Sequence, residues 1–466
     1  MKNSKLVDGY SVSLPNFLTV TAGNDASPKK IDLPVMTTKG VEHIYLTEKD
    51  LSKHILALGG IGSGKTNLIN LLISQIVGSL TLEDVVVIFD TKGDFLRKFG
   101  KPGDIVFGNF TSLPSGIESA KWNIYKDVMI DEEHINENLL EVCKTLFLDR
   151  SLHNNNPFFP NAARDLLYGI MLANIRSNDR EVLNNQALLR YFQALDLEKL
   201  RELLSKHKDL KSCQYYIDGK NVQTQGVVSE VVQLVREVFI DKFALVGNTS
   251  IRECVRNKGK KIFIEYDLGI GNTLEPIYRL LLDMVLKEAL CRNSQRGNVY
   301  IIIDEFSLLP NLQHIADGVN FGRELGVKII AGLQNIEQMY ESYGEYAAGS
   351  ILSGFNTRFF FKVNDSCSRK YIQELLGTNR QIYSFQSSEK QKGFVEQLYT
   401  GHVVEDWVYE KMPVGAALLY QNGKLPAIIG LPEFIGLGNQ PRNTFAIQNM
   451  TSDTDYNRMK GFKRIT

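Results

Sequence analysis

The stretch Gly59-Gly-Ile-Gly-Ser-Gly-Lys-Thr66 decides the fold of this chain, because it matches the phosphate-binding pattern G-x-x-x-x-G-K-[ST]. The apolar run His54–Leu58 precedes it and predicts a strand. The residues that follow, Thr66–Val77, are apolar almost all round and predict a helix buried in a large core. Glycines let the backbone fold round a polyphosphate, so that N–H groups and the helix N-terminus face the anion. The stretch therefore predicts a site for a nucleoside triphosphate.

Individual residues of this loop have distinct expected roles. Lys65 is expected to reach the β- and γ-phosphates, and Thr66 is expected to ligate Mg²⁺. The predicted cofactors are therefore ATP and Mg²⁺. The predicted nucleotide-binding residues are Gly59, Gly60, Ile61, Gly62, Ser63, Gly64, Lys65, Thr66 and Asn67.

Composition limits the class of protein. The chain has 466 residues, of which 43% are hydrophobic, and this excludes disorder over most of its length. Lys plus Arg and Asp plus Glu both total 53, so net charge does not indicate a nucleic-acid partner. Five cysteines lie far apart without a C-x-x-C pair, which favours reduced thiols over disulfides or zinc.

Hydropathy predicts a cytoplasmic protein. Apolar stretches fall short of the roughly 18 to 20 residues needed to cross a bilayer, and the N-terminus is too polar for a signal peptide. We expect no direct membrane insertion, so that work at the inner face of a membrane would require recruitment by a partner.

Short β-branched runs separated by helical stretches predict an α/β domain with a mainly parallel sheet. The predicted strands are His54–Leu58, Asp84–Phe89, Lys261–Tyr266, Val299–Ile303, Val327–Leu333, Arg358–Val363 and Ala416–Tyr420. The predicted domains are a short β-rich N-terminal segment (1–40), a nucleotide-binding domain (41–130 and 247–435), an inserted all-α domain (131–246) and a polar tail (436–466).

A second apolar strand, Val299–Ile303, leads directly into Asp304 and Glu305. In P-loop enzymes an acid at this position holds the Mg²⁺ shell, which is the role expected of Asp304. Glu305 would then orient and deprotonate the attacking water, which indicates a hydrolase. Carboxylates that cap a following helix are the structural alternative.

Three further polar residues stand near strand ends or helix ends. Gln334 follows a predicted strand and could contact both the γ-phosphate and the water, although such a residue could also cap a surface helix. Asp90 could make an indirect contact with the site or form a plain turn. Arg323 could be a surface arginine paired with Glu324, or an arginine finger, which can be worth about 10³ to 10⁵ in rate.

In this order, and with this helical insertion, the motifs resemble the type IV secretion coupling proteins of bacterial conjugation (the TraD, TraG and TrwB group), within the FtsK- and HerA-like P-loop ATPases. The resemblance runs from about Val41 to Pro432. The blocks that carry it are Asp90-Thr-Lys-Gly-Asp94, Trp122-Asn123, Phe158-Phe-Pro-Asn-Ala-Ala-Arg164, Asp304-Glu-Phe306, Gly322-Arg-Glu-Leu-Gly-Val327, Ala331-Gly-Leu-Gln-Asn335, Tyr343-Gly344, Val363-Asn-Asp365 and Ile372 to Gly377.

This resemblance implies a RecA-like core and a DNA-stimulated ATPase that works as a hexamer, with DNA passing through its central channel. It also implies that Arg323 is a finger acting on the neighbouring subunit, with Arg358 as a second candidate. The catalytic set would be Lys65, Glu305, Gln334 and Arg323, and the metal ligands Thr66 and Asp304. Relaxase or secretion-channel proteins would be the partners.

One departure from the group leaves the biological role open. Coupling proteins usually begin with transmembrane helices, and we expect none in this chain. Two alternatives therefore stand beside conjugation. The first is a HerA-like DNA translocase in repair or phage defence. The second is a nucleotide-switched adaptor that recruits protein cargo to a secretion channel.

Overall fold

The computed structural model describes residues 3–8, 29–37, 40–109, 113–152, 156–177, 179–219, 222–291, 297–386 and 394–439. The chain forms two compact units. The first unit comprises Met1–Ser79, Ile303–Ser307 and Lys328–Thr466, and the second comprises Leu80–Ile302 and Leu308–Val327. Most of the predicted polar tail (436–466) lies outside the described residues, which end at residue 439.

The strands of the described residues are numbered in chain order. They are β1 (Asn3–Asp8), β2 (Lys29–Thr37), β3 (Gly40–Thr47), β4 (Ile55–Leu58), β5 (Val85–Asp90), β6 (Ile105–Gly108), β7 (Glu118–Ser119), β8 (Lys261–Glu265), β9 (Val299–Ile303), β10 (Val327–Leu333), β11 (Thr357–Phe360), β12 (Thr378–Gln386), β13 (Phe394–His402), β14 (Ala416–Gln421) and β15 (Ala427–Gly430).

The α-helices are numbered in the same way. They are α1 (Glu48–Leu51), α2 (Lys65–Gly78), α3 (Asp94–Phe99), α4 (Ile124–Val128), α5 (Ile135–Leu146), α6 (Leu148–Leu152), α7 (Phe158–Arg176), α8 (Asn185–Gln193), α9 (Leu197–Ser205), α10 (Lys211–Gln214), α11 (Val222–Val238), α12 (Ile251–Asn257), α13 (Gly271–Leu290), α14 (Ile315–Phe321), α15 (Glu337–Tyr343), α16 (Glu345–Ser353), α17 (Ser366–Leu376) and α18 (Asp406–Lys411).

In the first unit, strands lie side by side in the order β3-β2-β15-β14-β11-β4-β10. Strand β4 lies between β10 and β11 and runs parallel to both. Every residue of β4 is buried, as expected for a central strand covered on both faces. Helix α2 follows it, and its Leu68, Ile69 and Leu72 are fully buried. This burial confirms the prediction of a core helix after the glycine-rich loop.

In the second unit, strands lie in the order β9-β5-β8-β6-β7. Strand β8 is parallel to both β5 and β6, and all five of its residues are buried. The described residues of 131–246 fold as helices and turns, as the spacing of their apolar residues predicts. Among the described helices, none combines the length and the apolar character that crossing a bilayer requires.

The predicted parallel α/β core is confirmed, and each predicted strand is present to within a few residues. Of the antiparallel strands, β14 was predicted and β1 and β2 lie in the segment 1–40 that was predicted to be β-rich, whereas β3, β12, β13 and β15 were missed. Strands β2 and β3 pair antiparallel, and so do β12 and β13. The β12–β13 hairpin lies in polar sequence such as Thr378-Asn-Arg-Gln381, where the alternation of apolar residues is too weak to indicate strands.

Candidate active site

The glycine-rich loop leaves the carboxyl end of β4 and is held on both sides by the flanking strands. The N–H of Gly59 donates to the carbonyl of Leu333 at the end of β10 (3.0 Å), and the N–H of Gly60 donates to Lys362, just beyond β11 (2.8 Å). Gly64, at the N-cap of α2, has a φ of +114°, which a residue with a Cβ rarely adopts. The loop is therefore placed at the sheet edge where parallel α/β folds bind ligands.

Lys65 is only 7% exposed, and its ammonium group lies over the loop. Its Nζ donates to the carbonyl of Gly59 and to that of Gly60 (3.1 Å). A lysine at this point in the first turn of α2 places its charge beside the loop N–H groups. The arrangement suits it to contact an anion bound there.

Thr66 and Asp304 meet although they are 238 residues apart in sequence. Thr66 Oγ1 donates to Asp304 Oδ1 at 3.2 Å. Asp304 follows β9 and is 7% exposed. The structure thus brings together the two residues that the sequence assigned to magnesium.

These two residues fit an Mg²⁺ ion. Hydroxyl and carboxylate oxygens are the hard donors that Mg²⁺ prefers. Neighbouring ligands of an octahedral ion with bonds of about 2.1 Å lie about 3 Å apart, close to the observed oxygen separation. Thr66 and Asp304 would hold the ion in part, and the remaining positions would belong to water and phosphate oxygens.

Glu305 is oriented by two side chains. Its Oε1 accepts a hydrogen bond from Ser307 Oγ (2.6 Å), and its Oε2 accepts one from Nε2 of Gln334. Gln334 follows Leu333 at the end of β10, so it stands beside the loop that leaves β4. The side chain of Gln334 therefore contacts the expected base instead of capping a surface helix. Ser307 was not predicted from the sequence.

Gly332 on β10 allows the close approach of Asp304. A Cβ on Gly332 would lie 2.1 Å from the carbonyl oxygen of Asp304. Gly332→Ala is therefore expected to displace Asp304, destabilise the protein by about 1 to 3 kcal/mol and lower ATPase activity. Urea unfolding and steady-state hydrolysis would measure both effects.

A second glycine provides the matched control for this prediction. Gly349 lies in α16, and a Cβ there would meet no heavy atom within 4 Å. Gly349→Ala should leave activity unchanged and stabilise the helix by up to about 1 kcal/mol. Equal stability of the two variants would show that residue 332 can carry a Cβ beside the carbonyl of Asp304 without cost.

Asn67, one residue beyond Thr66, holds the segment that follows β15. Its Nδ2 donates to the carbonyl of Pro432 and its Oδ1 accepts from the N–H of Phe434, both at 2.8 Å. The two bonds reach residues i and i+2 of an extended segment, as a neighbouring strand would. The sequence assigned Asn67 only to nucleotide binding and carried no sign of this contact, because it spans 365 residues or more.

Asp90 stabilises the turn after β5 in the second unit. Its Oδ2 accepts from the N–H of Phe95 (2.7 Å) and of Leu96 (3.0 Å), at the start of α3. Opposite Asp90 in the sheet register lies Glu265, the last residue of β8. Burial, together with the charge of Asp90 and a hydrogen bond to it, raises the pKa of Glu265 to about 9. The carboxyl group of Glu265 is therefore protonated at neutral pH.

This pair predicts a pH-dependent stability. Between the unperturbed pKa of 4.5 and about 9, Glu265 is ionised in the unfolded chain but protonated in the folded one. Rising pH then favours unfolding across this interval, because the unfolded chain releases the proton. Glu265→Gln should remove this slope, so that the wild-type Tm falls by at least about 4 °C more than the variant's between pH 5 and pH 9.

Thermal unfolding at the two pH values would test this, with the exposed Glu83→Gln as the control. The control should retain the wild-type slope. Parallel curves for wild type and Glu265→Gln would contradict the raised pKa of Glu265.

The two candidate arginines differ in exposure. Arg323 lies in the second unit, in the 3₁₀ turn Gly322–Leu325, and is exposed. Within the described part of the chain its side chain makes no ion pair, with Glu324 or with any other residue. Arg358 is 2% exposed and bonds to Asn422 Oδ1 (2.9 Å) and the carbonyl of Leu352 (3.2 Å). Its burial makes the second finger candidate wrong, because such a side chain does not reach a neighbouring subunit.

None of the five cysteines forms a disulfide. Within the described ranges, no group of three or more His, Cys, Asp or Glu side chains is arranged to hold a metal ion. The search for such groups does not cover the pair Thr66 and Asp304, predicted to ligate magnesium, since a threonine would supply one of the ligands.

Comparison with known proteins gives a match over most of the chain. The family model described as the type IV secretion-system coupling protein DNA-binding domain matches residues 40–392. Coupling protein TraD of Escherichia coli (strain K12) is 22% identical over 347 residues, which cover 73% of this chain. The match spans only 44% of the length of TraD.

Solved structures share the fold. The unbound monoclinic form of the bacterial conjugative coupling protein TrwBdeltaN70 has a TM-score of 0.71 and 19% identity, covering 91% of this chain and 95% of that one. TrwB in complex with ADP and Mg²⁺ has a TM-score of 0.69 and 18% identity, covering 91% and 96%. VirB4 of Thermoanaerobacter pseudethanolicus is more distant, with a TM-score of 0.55, 13% identity and coverage of 89% and 99%.

Proposed function

The chain belongs to the family of type IV secretion-system coupling proteins, and from this premise we propose that it is an ATP-hydrolysing motor that translocates DNA. One observation carries the proposal. In the first unit, the Thr66–Asp304 and Glu305–Gln334 hydrogen bonds bring the predicted metal ligands, base and sensor to the edge of the sheet where the glycine-rich loop lies. A loop that only bound nucleotide would not need an oriented carboxylate beside it.

The roles of the residues follow from this geometry. Lys65 and the loop N–H groups bind the β- and γ-phosphates. Glu305 accepts the proton of the attacking water, while Gln334 and Ser307 hold its carboxylate in one orientation. When bound at Thr66 and Asp304, Mg²⁺ would neutralise charge on the phosphates. TrwB, a protein of the same fold, was crystallised with ADP and Mg²⁺, which supports both cofactors.

The mechanical part of the proposal concerns assembly and DNA. We propose a hexamer built from a motor domain (41–130 and 247–435) with an all-α insertion (131–246), in which Arg323 acts on the neighbour's nucleotide. Lys, Arg and N–H groups lining a central channel would contact the DNA backbone, which needs no sequence motif. The exposure of Arg323, and the family model's description as a DNA-binding domain, support this. Recruitment by relaxase or channel proteins would bring the motor to its membrane.

The deciding experiment measures ATPase rate with and without single- and double-stranded DNA, beside a mass measurement in ATP and DNA. We expect DNA to raise the rate and to favour a hexamer. If DNA leaves the rate unchanged while a candidate protein partner raises it, the motor proposal fails and the cargo adaptor replaces it. A DNA-stimulated enzyme encoded beside nucleases would instead indicate the defence or repair translocase.

Glu305→Gln tests the assignment of the base. The amide keeps the shape of the side chain but does not take a proton, so ATP binding should persist while hydrolysis falls about 10²- to 10⁴-fold. Nucleotide binding by fluorescence and single-turnover hydrolysis would separate the two steps. The exposed Glu337→Gln on α15 is the control and should hydrolyse normally. Normal hydrolysis by Glu305→Gln would assign the base elsewhere.

A further inference from the structure

Helix α5, the first long helix of the predicted insertion, contacts the segment that follows Glu305 along the chain. Gln313 Nε2 donates to Thr145 Oγ1 of α5 at 2.6 Å. Thr145 is 2% exposed and Gln313 is half-buried, so this bond is partly shielded from water. The contact lies inside the second unit, eight residues downstream of Glu305.

Charged groups reinforce the same contact. Glu141 of α5 accepts from Lys287 of α13 and lies 3.7 Å from Nε2 of His314. Burial by itself raises the pKa of Glu141, but the interactions with His314 and Lys287 outweigh it and lower the pKa to about 2. Glu141 is therefore ionised at neutral pH, with Lys287 on one side and His314 on the other. The N–H of His314 also donates to Asp283 Oδ1 of α13 (3.2 Å).

The contact has hydrogen-bonding capacity that these bonds do not use. A cavity of about 20 Å³ lies among these residues, large enough for about one water molecule. Asn138 Oδ1 and Asp283 Oδ2, both buried acceptors that belong to residues lining it, have no partner among the described residues. Hydrogen-bond networks that have two discrete arrangements are among the elements that carry coupling between distant sites, and the unused acceptors offer these side chains a second arrangement.

We propose that Gln313 and His314 are positioning residues that couple α5 to the catalytic segment, so that binding events on the helical region alter hydrolysis through Thr145 and Glu141. This inference rests on the proposed ATPase. The connection is short: the segment begins at Glu305, whose carboxylate is held by Ser307, and continues to Gln313. A displacement of α5 would therefore be transmitted along a segment whose two ends are both hydrogen-bonded.

The test uses Thr145→Val, which keeps the side-chain shape but removes the acceptor for Gln313. Hydrogen exchange is followed in the full chain with Mg²⁺ and a non-hydrolysable ATP analogue. In the wild type, the analogue should slow exchange in the loop 59–66 and also change it in α5. In Thr145→Val the response of the loop should remain and that of α5 should be lost. Thr145→Ser, which retains the hydroxyl, should restore the α5 response.

A second measurement follows DNA stimulation. Thr145→Val should keep the basal ATPase rate and lower the ratio of DNA-stimulated to basal rate by about fivefold, the low end of measured couplings. Thr224→Val, at a buried threonine of α11, is the matched control and should keep both the α5 response and the ratio.

The outcomes separate this inference from the proposed function. If α5 responds to the analogue equally in wild type and Thr145→Val, or does not respond in the wild type while the loop 59–66 does, the coupling is overturned and the ATPase stands. If wild-type ATPase is insensitive to DNA, the motor proposal fails, and the exchange measurement still decides the coupling.

Discussion

Replacing Lys65 by alanine is expected to abolish ATP hydrolysis and to weaken nucleotide binding below detection at micromolar protein. The ammonium group is the full positive charge contributed by the loop, and it lies over the carbonyls of Gly59 and Gly60. Removing it leaves the loop with N–H dipoles alone to contact the phosphates, and these dipoles carry far less charge. Steady-state hydrolysis and titration with a fluorescent ATP analogue would measure the two losses.

The control for this substitution is Lys49→Ala, at an exposed lysine of α1 in the same unit. It should bind and hydrolyse ATP as the wild type does. Circular dichroism should show both variants folded, since the bonds of Lys65 Nζ to the carbonyls of Gly59 and Gly60 lie within the loop. Hydrolysis by Lys65→Ala within tenfold of wild type would mean that the loop is not the nucleotide site.

Replacing Arg323 by alanine is expected to lower ATP hydrolysis by about 10³-fold while ATP binding is retained, because an arginine finger stabilises charge that develops only in the transition state. The side chain is exposed, and within the described part of the chain it has no carboxylate partner that would hold it on its own subunit. Arg323→Ala should therefore lower the ATPase rate and leave the stability of the folded protein almost unchanged. Glu324→Gln at the adjacent residue is the control.

A mixing experiment decides whether Arg323 acts on its own subunit or on a neighbour. Lys65→Ala lacks a nucleotide site but supplies the arginine, whereas Arg323→Ala has the site and lacks the arginine. In a randomly mixed ring of equal parts, about one quarter of the interfaces would pair an intact site with an intact arginine, so activity should return. Mixed rings that form, as judged by mass, yet stay inactive would exclude a role in trans.

Much of the core could be predicted because its signals are local. A buried parallel strand such as Val299–Ile303 is a continuous apolar run, and the glycine-rich loop needs particular residues at fixed positions to adopt its backbone conformation. The expected ends of β9 and β10 are those observed. These features depend on neighbours in sequence, so a single chain is enough to recognise them.

Features that depend on distant neighbours were missed or misjudged. The resemblance made Arg358 a second candidate for the arginine finger. In the structure this side chain is buried and bonds to Leu352 and Asn422, so its role is structural. The sequence did not indicate the hydrogen bond from Ser307 to Glu305. It also did not indicate the hydrogen bonds between Asn67 and the backbone of Pro432 and Phe434. The β12–β13 hairpin was missed because its polar strands lack a clear alternation of apolar residues.

The sequence by itself determined that this chain has a phosphate-binding loop between a buried strand and a buried helix, since glycine positions and apolar periodicity impose those elements locally. Only the tertiary structure decided that Thr66 meets Asp304 across 238 residues, that Gln334 orients Glu305, and that Asp90 serves a turn. Those contacts follow from the order of strands in the sheet, which depends on the packing of distant segments and has no local period from which to be inferred.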